Sequence, residues 1–224
     1  MPKYCIHTYP KREWYVRDFI IPSMLKQGIA ESDISVYNDI KGEGNLVSCM
    51  KAFLGCEGDG GTWHLQDDIL ISRKFKEKTE ELDDFGDGLI CGFNCEYDGT
   101  IGGGFTSVVK HWWSFPCIRI PNEIARGCGQ WYFDEMRGNP VYRHIIGTGK
   151  CDDWLFYQYL HDYYRNLQMY NVVPNLVEHV DYLLGGSSLS PNRTISARSL
   201  WLDEEDKPLV DELEKTLREL GKIS

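Results

Sequence analysis

Through its first third the chain alternates short β-type runs with helical stretches, the pattern of β-α-β units that close a largely parallel sheet. Residues 4–8, 34–37 and 62–66 read as strands, with helices expected over 10–27 and 44–54. In the first helix Trp14, Val16, Phe19, Ile20, Met24 and Leu25 keep helical spacing around Pro22, which should kink or divide it. A charged, solvated helix is expected over 73–82 and a strand over 89–93. The pattern then loosens into a glycine-rich run at 99–104 and an aromatic stretch at 105–120. Helices at 121–136 and 153–167, a strand-like run at 172–180 and an amphipathic helix at 207–220 follow.

A chain of 224 residues, 42% of them hydrophobic, suits one domain with a sizeable core. The formal net charge of −10 gives no global attraction to nucleic acid or anionic membranes. No apolar run is long enough to span a bilayer and residues 1–8 do not have the layout of a signal peptide, so a cytoplasmic location is expected. The eight cysteines (Cys5, Cys49, Cys56, Cys91, Cys95, Cys117, Cys128 and Cys151) include no C-x-x-C pair and read as reduced, mostly core thiols. Cys91 and Cys95 stand closest together, but without a second Cys or His pair nearby they fall short of a zinc site.

The strongest local feature is Trp63-His64-Leu65-Gln66-Asp67-Asp68-Ile69-Leu70, an apolar strand that runs into two carboxylates and returns to apolar residues. Carboxylates flanked by core need a counter-charge. Mg²⁺ or Mn²⁺ takes hard oxygen ligands and is commonly held by one or two carboxylates plus a substrate diphosphate. The plainer reading is that the pair caps the helix near Arg73 or meets a lysine. At the carboxyl end of a strand in an open α/β sheet, however, the pair would stand where ligands bind.

Gln66-Asp67-Asp68 resembles the metal-binding D-x-D motif of GT-A-fold glycosyltransferases, in the E-D-D form of the lipopolysaccharide and collagen galactosyltransferase family. Gln66 stands in place of the first acid, leaving Asp68 as the direct ligand with Asp67 beside it. The resemblance implies an α/β, GT-A (Rossmann-like) fold, a single domain with a mostly parallel central sheet flanked by helices. It also implies a donor nucleotide half over about 1–95, an acceptor and catalytic half over 96–205, and a C-terminal helix over 206–224. Gly147-Thr148-Gly149-Lys150-Cys151-Asp152-Asp153 resembles the G-x-x-E-D segment of inverting GT-A enzymes, whose acid deprotonates the acceptor. Asp153 is then the base and Asp152 the alternative, against simple N-capping by both. Pro174-Asn175-Leu176-Val177-Glu178-His179 is similar to a late segment whose histidine completes the metal site, which makes His179 a metal ligand or a core histidine. Arg193 and Arg198 beyond it would meet the departing diphosphate. Thr8, Lys11 and Arg12 would lie near the donor, and Asp39 would bond uridine or ribose.

The expected activity is a metal-dependent, inverting transfer of a hexosyl or pentosyl group from a nucleoside-diphosphate sugar, UDP-sugar first, to a hydroxyl of a saccharide or other compound. Two other classes stay open: metal-dependent phosphoryl or nucleotidyl transfer, and a nucleotide-sugar-binding module without catalysis. The small size also resembles phage transferases that glycosylate hydroxymethylated pyrimidines in DNA, which would place the protein in a host cytoplasm. For that acceptor Lys110, His111, Arg119, Arg126, Arg137, Arg143 and His144 would supply a local basic groove, and Trp112 or Trp113 would stack on an extruded base.

Overall fold

The computed structural model describes residues 3–83, 88–93, 104–107, 115–140, 152–172, 174–186 and 203–223, with 104–107 as backbone only. Strands β1 (Lys3–Thr8), β2 (Ile34–Asn38) and β3 (Gly61–Gln66) pair in parallel, with β1 in the middle. A short β4 (Ile69–Ile71) follows, then β5 (Leu89–Cys91), β6 (Gly104–Ser107), β7 (Cys117–Pro121) and β8 (Gln168–Asn171). Seven of these form one sheet in the order β2-β1-β3-β7-β5-β8-β6, in which β7 and β6 alone run against the common direction. The expected mostly parallel α/β sheet is therefore present, and it forms a single domain. β4 pairs outside it, antiparallel to β9 (Val177–His179).

Alternate side chains leave the sheet on opposite faces, and both faces are covered, which is why β1 and β3 are buried nearly throughout. Tyr4, Ile6, Trp63 and Leu65 pack with Tyr15, Ile20, Met24, Phe75 and Leu217. Leu89, Ile118, Ile120 and Met169 pack on the other side with Leu46, Phe53, Ile124, Tyr132 and Phe156. The helix around Pro22 runs as α1 (Glu13–Tyr15), a π-helical turn at Val16–Ile20, and α2 (Ile21–Lys26). The wider turn lies where proline lacks the N–H that would continue the α ladder.

α3 (Asn45–Leu54) starts after Gly44, whose φ of 96° suits glycine. α4 (Phe75–Asp83) is more than a solvated helix: Phe75, Thr79 and Leu82 are buried, and Thr79 bonds Tyr4 Oη at 2.7 Å. α5 (Asn122–Trp131), α6 (Asp152–Tyr163) and α7 (Lys207–Glu219) fall where helices are expected. The expected strand over 172–180 is shorter: among its described residues only Val177–His179 forms a strand, β9, while β8 ends at Asn171 just before the run, and Pro174, which cannot donate to a ladder, lies between. No helix of the described residues is long and apolar enough to cross a membrane.

Candidate functional site

β1 and β3 end side by side, and their carboxyl ends carry Thr8 and the Asp67-Asp68 pair. Arg12, just before α1, turns back onto them: Nη1 donates to Asp67 Oδ1 at 3.0 Å and to Asp68 Oδ2 at 2.6 Å, while Thr8 Oγ1 donates to Asp67 Oδ2 at 2.9 Å. Arg12 Nη2 meets the Gly186 carbonyl at 2.5 Å. Consecutive positive φ angles at Gly185 and Gly186, 92° and 83°, turn that segment where side chains with a Cβ would be strained. The guanidinium also lies 5.6 Å from the Tyr9 ring. Lys11 beside it is exposed.

The small β4·β9 sheet brings in the histidine. Ile69 faces His179 and Val180 N bonds Asp68 O at 2.8 Å, so His179 Nε2 stands 3.2 Å from Asp68 Oδ1. On the other side of the ring Nδ1 lies 3.9 Å from Asp181 Oδ1, and Asp181 is fully buried. One guanidinium cannot balance two buried carboxylates. Burial and then Asp68 push Asp67 up, whereas Asp68 overcomes its own burial through His179 and Arg12 and is held well below the usual carboxylate range. Burial opposes a charge on His179, but Asp68 outweighs it and raises the imidazole.

Whether a divalent cation fits can be judged from the atoms left over. Among the described residues, Asp68 Oδ1 and both Asp181 oxygens are buried without a hydrogen-bond partner, and so is Arg12 Nε. For Asp68 Oδ1, the 3.2 Å approach of His179 is an ion-pair distance without the alignment of a hydrogen bond. Unsatisfied carboxylate oxygens flanking an imidazole are the donors that Mg²⁺ or Mn²⁺ accepts. Asp67 differs, because Thr8 and Arg12 already occupy its two oxygens.

Gln66, partly buried, ends β3 with its N–H on Pro116 O. Asp39 bonds Thr8 O through its own N–H, and its carboxylate accepts from Glu43 and Gly44 N–H at 2.9 and 2.8 Å, fixing the turn into α3. Asp152 opens α6 at the helix end that stabilises carboxylates, with Asn45 of α3 against it. It is buried, and burial and then Asp153 push it up to about 7. Asp153 is less buried and accepts from Trp154 N–H at 2.7 Å; burial raises it too. Asn45 opens α3 after the turn that Asp39 and Gly44 hold, and Asp152 lies against it. Arg193 and Arg198 lie outside the described residues, as do Lys110, His111, Trp112, Trp113, Arg143, His144, Cys95 and Cys151. Of the remaining basic residues, Arg119 is buried in an ion pair with Asp83, Arg126 bonds the Cys56 and Gly58 carbonyls, and Arg137 covers the Phe133 ring.

Asp152 carries a pH signature. Its folded pKa of about 7 exceeds the ordinary 3.8, so its contribution favours the fold below about pH 4, fades as pH rises to 7, and changes no further above. Asp152→Asn removes this titration. Its Tm should fall less than the wild type's between about pH 5 and about pH 8, by roughly 5–10 °C, since the two pH units from about pH 5 to a pKa of about 7 correspond to about 2–3 kcal/mol, at about 2–4 °C per kcal/mol in a domain of this size. Scanning fluorimetry giving parallel losses in both proteins would reject the assignment.

No protein-family model matches the sequence, and no curated protein matches it. Solved structures do share its fold. Residues 1–349 of TarS from S. aureus, crystallised in complex with UDP-GlcNAc, superpose with a TM-score of 0.50 at 13% identity, over 77% of this chain and 56% of that one. The chain thus spans little more than half of that TarS fragment. A197 from STIV aligns over 79% of this chain and 85% of its own, at 10% identity and a TM-score of 0.45. The likeness to TarS shows the GT-A, Rossmann-like fold.

Proposed function

We propose that the protein is a metal-dependent, inverting glycosyltransferase that takes its sugar from a nucleoside-diphosphate donor, UDP-sugar first, and passes it to a hydroxyl of a saccharide or other compound. The observation that carries this reading is the buried Asp67-Asp68 pair at a strand's carboxyl end, gripped by Arg12 and flanked by His179. A solved neighbour of the same fold holds UDP-GlcNAc, which supports the choice of donor. In this reading residues 1–95 hold the donor and 96–205 the acceptor.

Asp68 and His179 would hold Mn²⁺ or Mg²⁺, with Asp67 keeping Arg12 and Thr8 in place. When bound, the cation supplies positive charge to the diphosphate of the donor and of the leaving group. Arg12 Nε, a buried donor without a partner, is suited to a phosphate oxygen. Arg193 and Arg198 would add charge there. Asp153 takes the proton of the acceptor hydroxyl as its oxygen forms the bond to the anomeric carbon, and the bond to the diphosphate breaks with its electron pair leaving on the nucleotide. Asp181 behind His179 orients the ring.

Incubation with a panel of nucleotide sugars tests the class, because slow transfer to water reports turnover even before an acceptor is known. Release of nucleoside diphosphate with free sugar is expected. Release of pyrophosphate would reassign the site to nucleotidyl transfer, and binding without turnover would leave a binding module. Saccharide panels and hydroxymethylpyrimidine DNA then separate the acceptors.

Since a proton on His179 blocks its lone pair, Mn²⁺ affinity should climb as pH rises through the raised pKa of the ring and then level off. Competition with a metal indicator at about pH 6 and about pH 8 measures this. In His179→Gln the dependence should become shallower, and an unchanged slope would take His179 out of the metal site.

A further inference from the structure

On the opposite face of β1 from Tyr4 and Ile6, the layer between the sheet and α3 contains residues unlike the rest of it. Cys5 and His7, two apart on β1, share that face, and the parallel pairing sets His64 of β3 directly beside Cys5. One ligand atom from each of Cys5, His7 and His64 lies within 4.8 Å of the others, and theirs is the one such His, Cys, Asp or Glu triad among the described residues. His7 Nε2 and His64 Nδ1 face each other at 2.9 Å. On the far side of the second ring, His64 Nε2 lies 3.6 Å from Cys56 Sγ, just past the end of α3. The rings of Phe53 and Phe115 wall the group, and all four residues are buried.

We propose that Cys5, His7 and His64 form a buried site for Zn²⁺, separate from the acidic pair. One thiolate and two imidazoles are the soft-to-borderline donors that select zinc over Mg²⁺ or Mn²⁺, and a fourth position stays open for a water. A tetrahedral zinc ion needs its nitrogen ligands about 3.3 Å apart, so the two rings must separate by only about 0.4 Å. The two imidazoles are neutral, because burial lowers His7 to about 4 and holds His64 well below the usual imidazole range. Binding balances with one proton released: the Cys5 S–H gives up its hydrogen to solvent, and the N–H shared between the rings moves to an outer nitrogen. For His64 that nitrogen is Nε2, whose hydrogen then points to Cys56 Sγ and fixes the tautomer that leaves Nδ1 free. Such a site would clamp β1 to β3 directly behind Thr8 and Asp67, and it does not depend on the proposed transferase reaction.

The test is a titration of the reduced full chain with Co²⁺ in excess Mg²⁺, followed by displacement with Zn²⁺. Uptake of one equivalent with a thiolate-to-cobalt charge-transfer band is expected, and zinc should bleach it. The acidic site has no sulfur, so it cannot produce that band. Cys5→Ser should remove the band and weaken Zn²⁺ at least about 100-fold, whereas Asp68→Asn should keep it. X-ray absorption of the zinc-loaded wild type provides a check that needs no variant: a shell with sulfur and two imidazoles is expected. Absence of the band in the wild type, its survival in Cys5→Ser, or a zinc shell of oxygen and nitrogen alone would each overturn the proposal.

Discussion

Asp68→Asn is expected to weaken UDP binding measured with Mn²⁺ by at least about tenfold, or about 1.4 kcal/mol, and to remove the difference that Mn²⁺ makes. Asp68 offers an oxygen with no hydrogen-bond partner, whereas both oxygens of Asp67 are taken. Asparagine keeps the shape but offers a neutral amide oxygen, a weaker ligand for a divalent cation than a carboxylate. The variant should still fold. Removing one partner of a buried ion pair is costly when it strands a charge, but here Arg12 keeps Asp67, and Asp67 loses the like charge that pushes it up. Arg12 and Asp67 then form a balanced one-to-one pair. Calorimetric titration with and without Mn²⁺, with Tm as the check on folding, decides the matter. Equal affinity in the two proteins, or full wild-type turnover in excess EDTA, would remove the metal-site reading.

The first 95 residues are legible in the sequence because their signals are local. The strand at Thr62–Gln66, the glycine turn into α3 and the acids at a strand end each depend on a few adjacent residues. β7 was not legible: Cys117–Pro121 places Arg119 mid-strand and a proline at its end, and only the distant Asp83 makes that buried cation acceptable. The shortening of the run around Pro174 was hidden likewise, since β8 before it and β9 at its end find partners in different sheets. At the site, sequence order brought Thr8, Arg12, Asp67, Asp68 and His179 under suspicion as separate weak matches. That Arg12 bridges both acids is a property of the β1–β3 pairing, and no spacing in the sequence reveals it. Asp181 and the His7–His64 contact were missed for the same reason. Asp39, expected at the nucleotide, is instead committed to the backbone of the turn before α3.

Asp153→Asn is expected to lower turnover by about 10² or more while leaving UDP affinity nearly unchanged, the signature of a lost general base. Geometry favours Asp153 over Asp152 for contact with an acceptor, because Asp152 is buried against α3 and Asp153 is the more open of the two. The Trp154 N–H donates to Asp153 Oδ1. Asp152→Asn should be milder, because Asp152 does not meet the acceptor itself; the charge of Asp153 is one of the causes that raise Asp152, whereas burial is what raises Asp153. The pH profile separates the roles. A base works only when ionised, so turnover rises with pH through its pKa. If Asp152 were the base, the acid limb would centre near 7. With Asp153 as base the limb should lie above the ordinary carboxylate range, because burial raises it, and stay in place in Asp152→Asn. A limb near 7 that disappears in Asp152→Asn, together with near-normal turnover in Asp153→Asn, would exchange the assignment, and full activity in both variants would place the base on another residue.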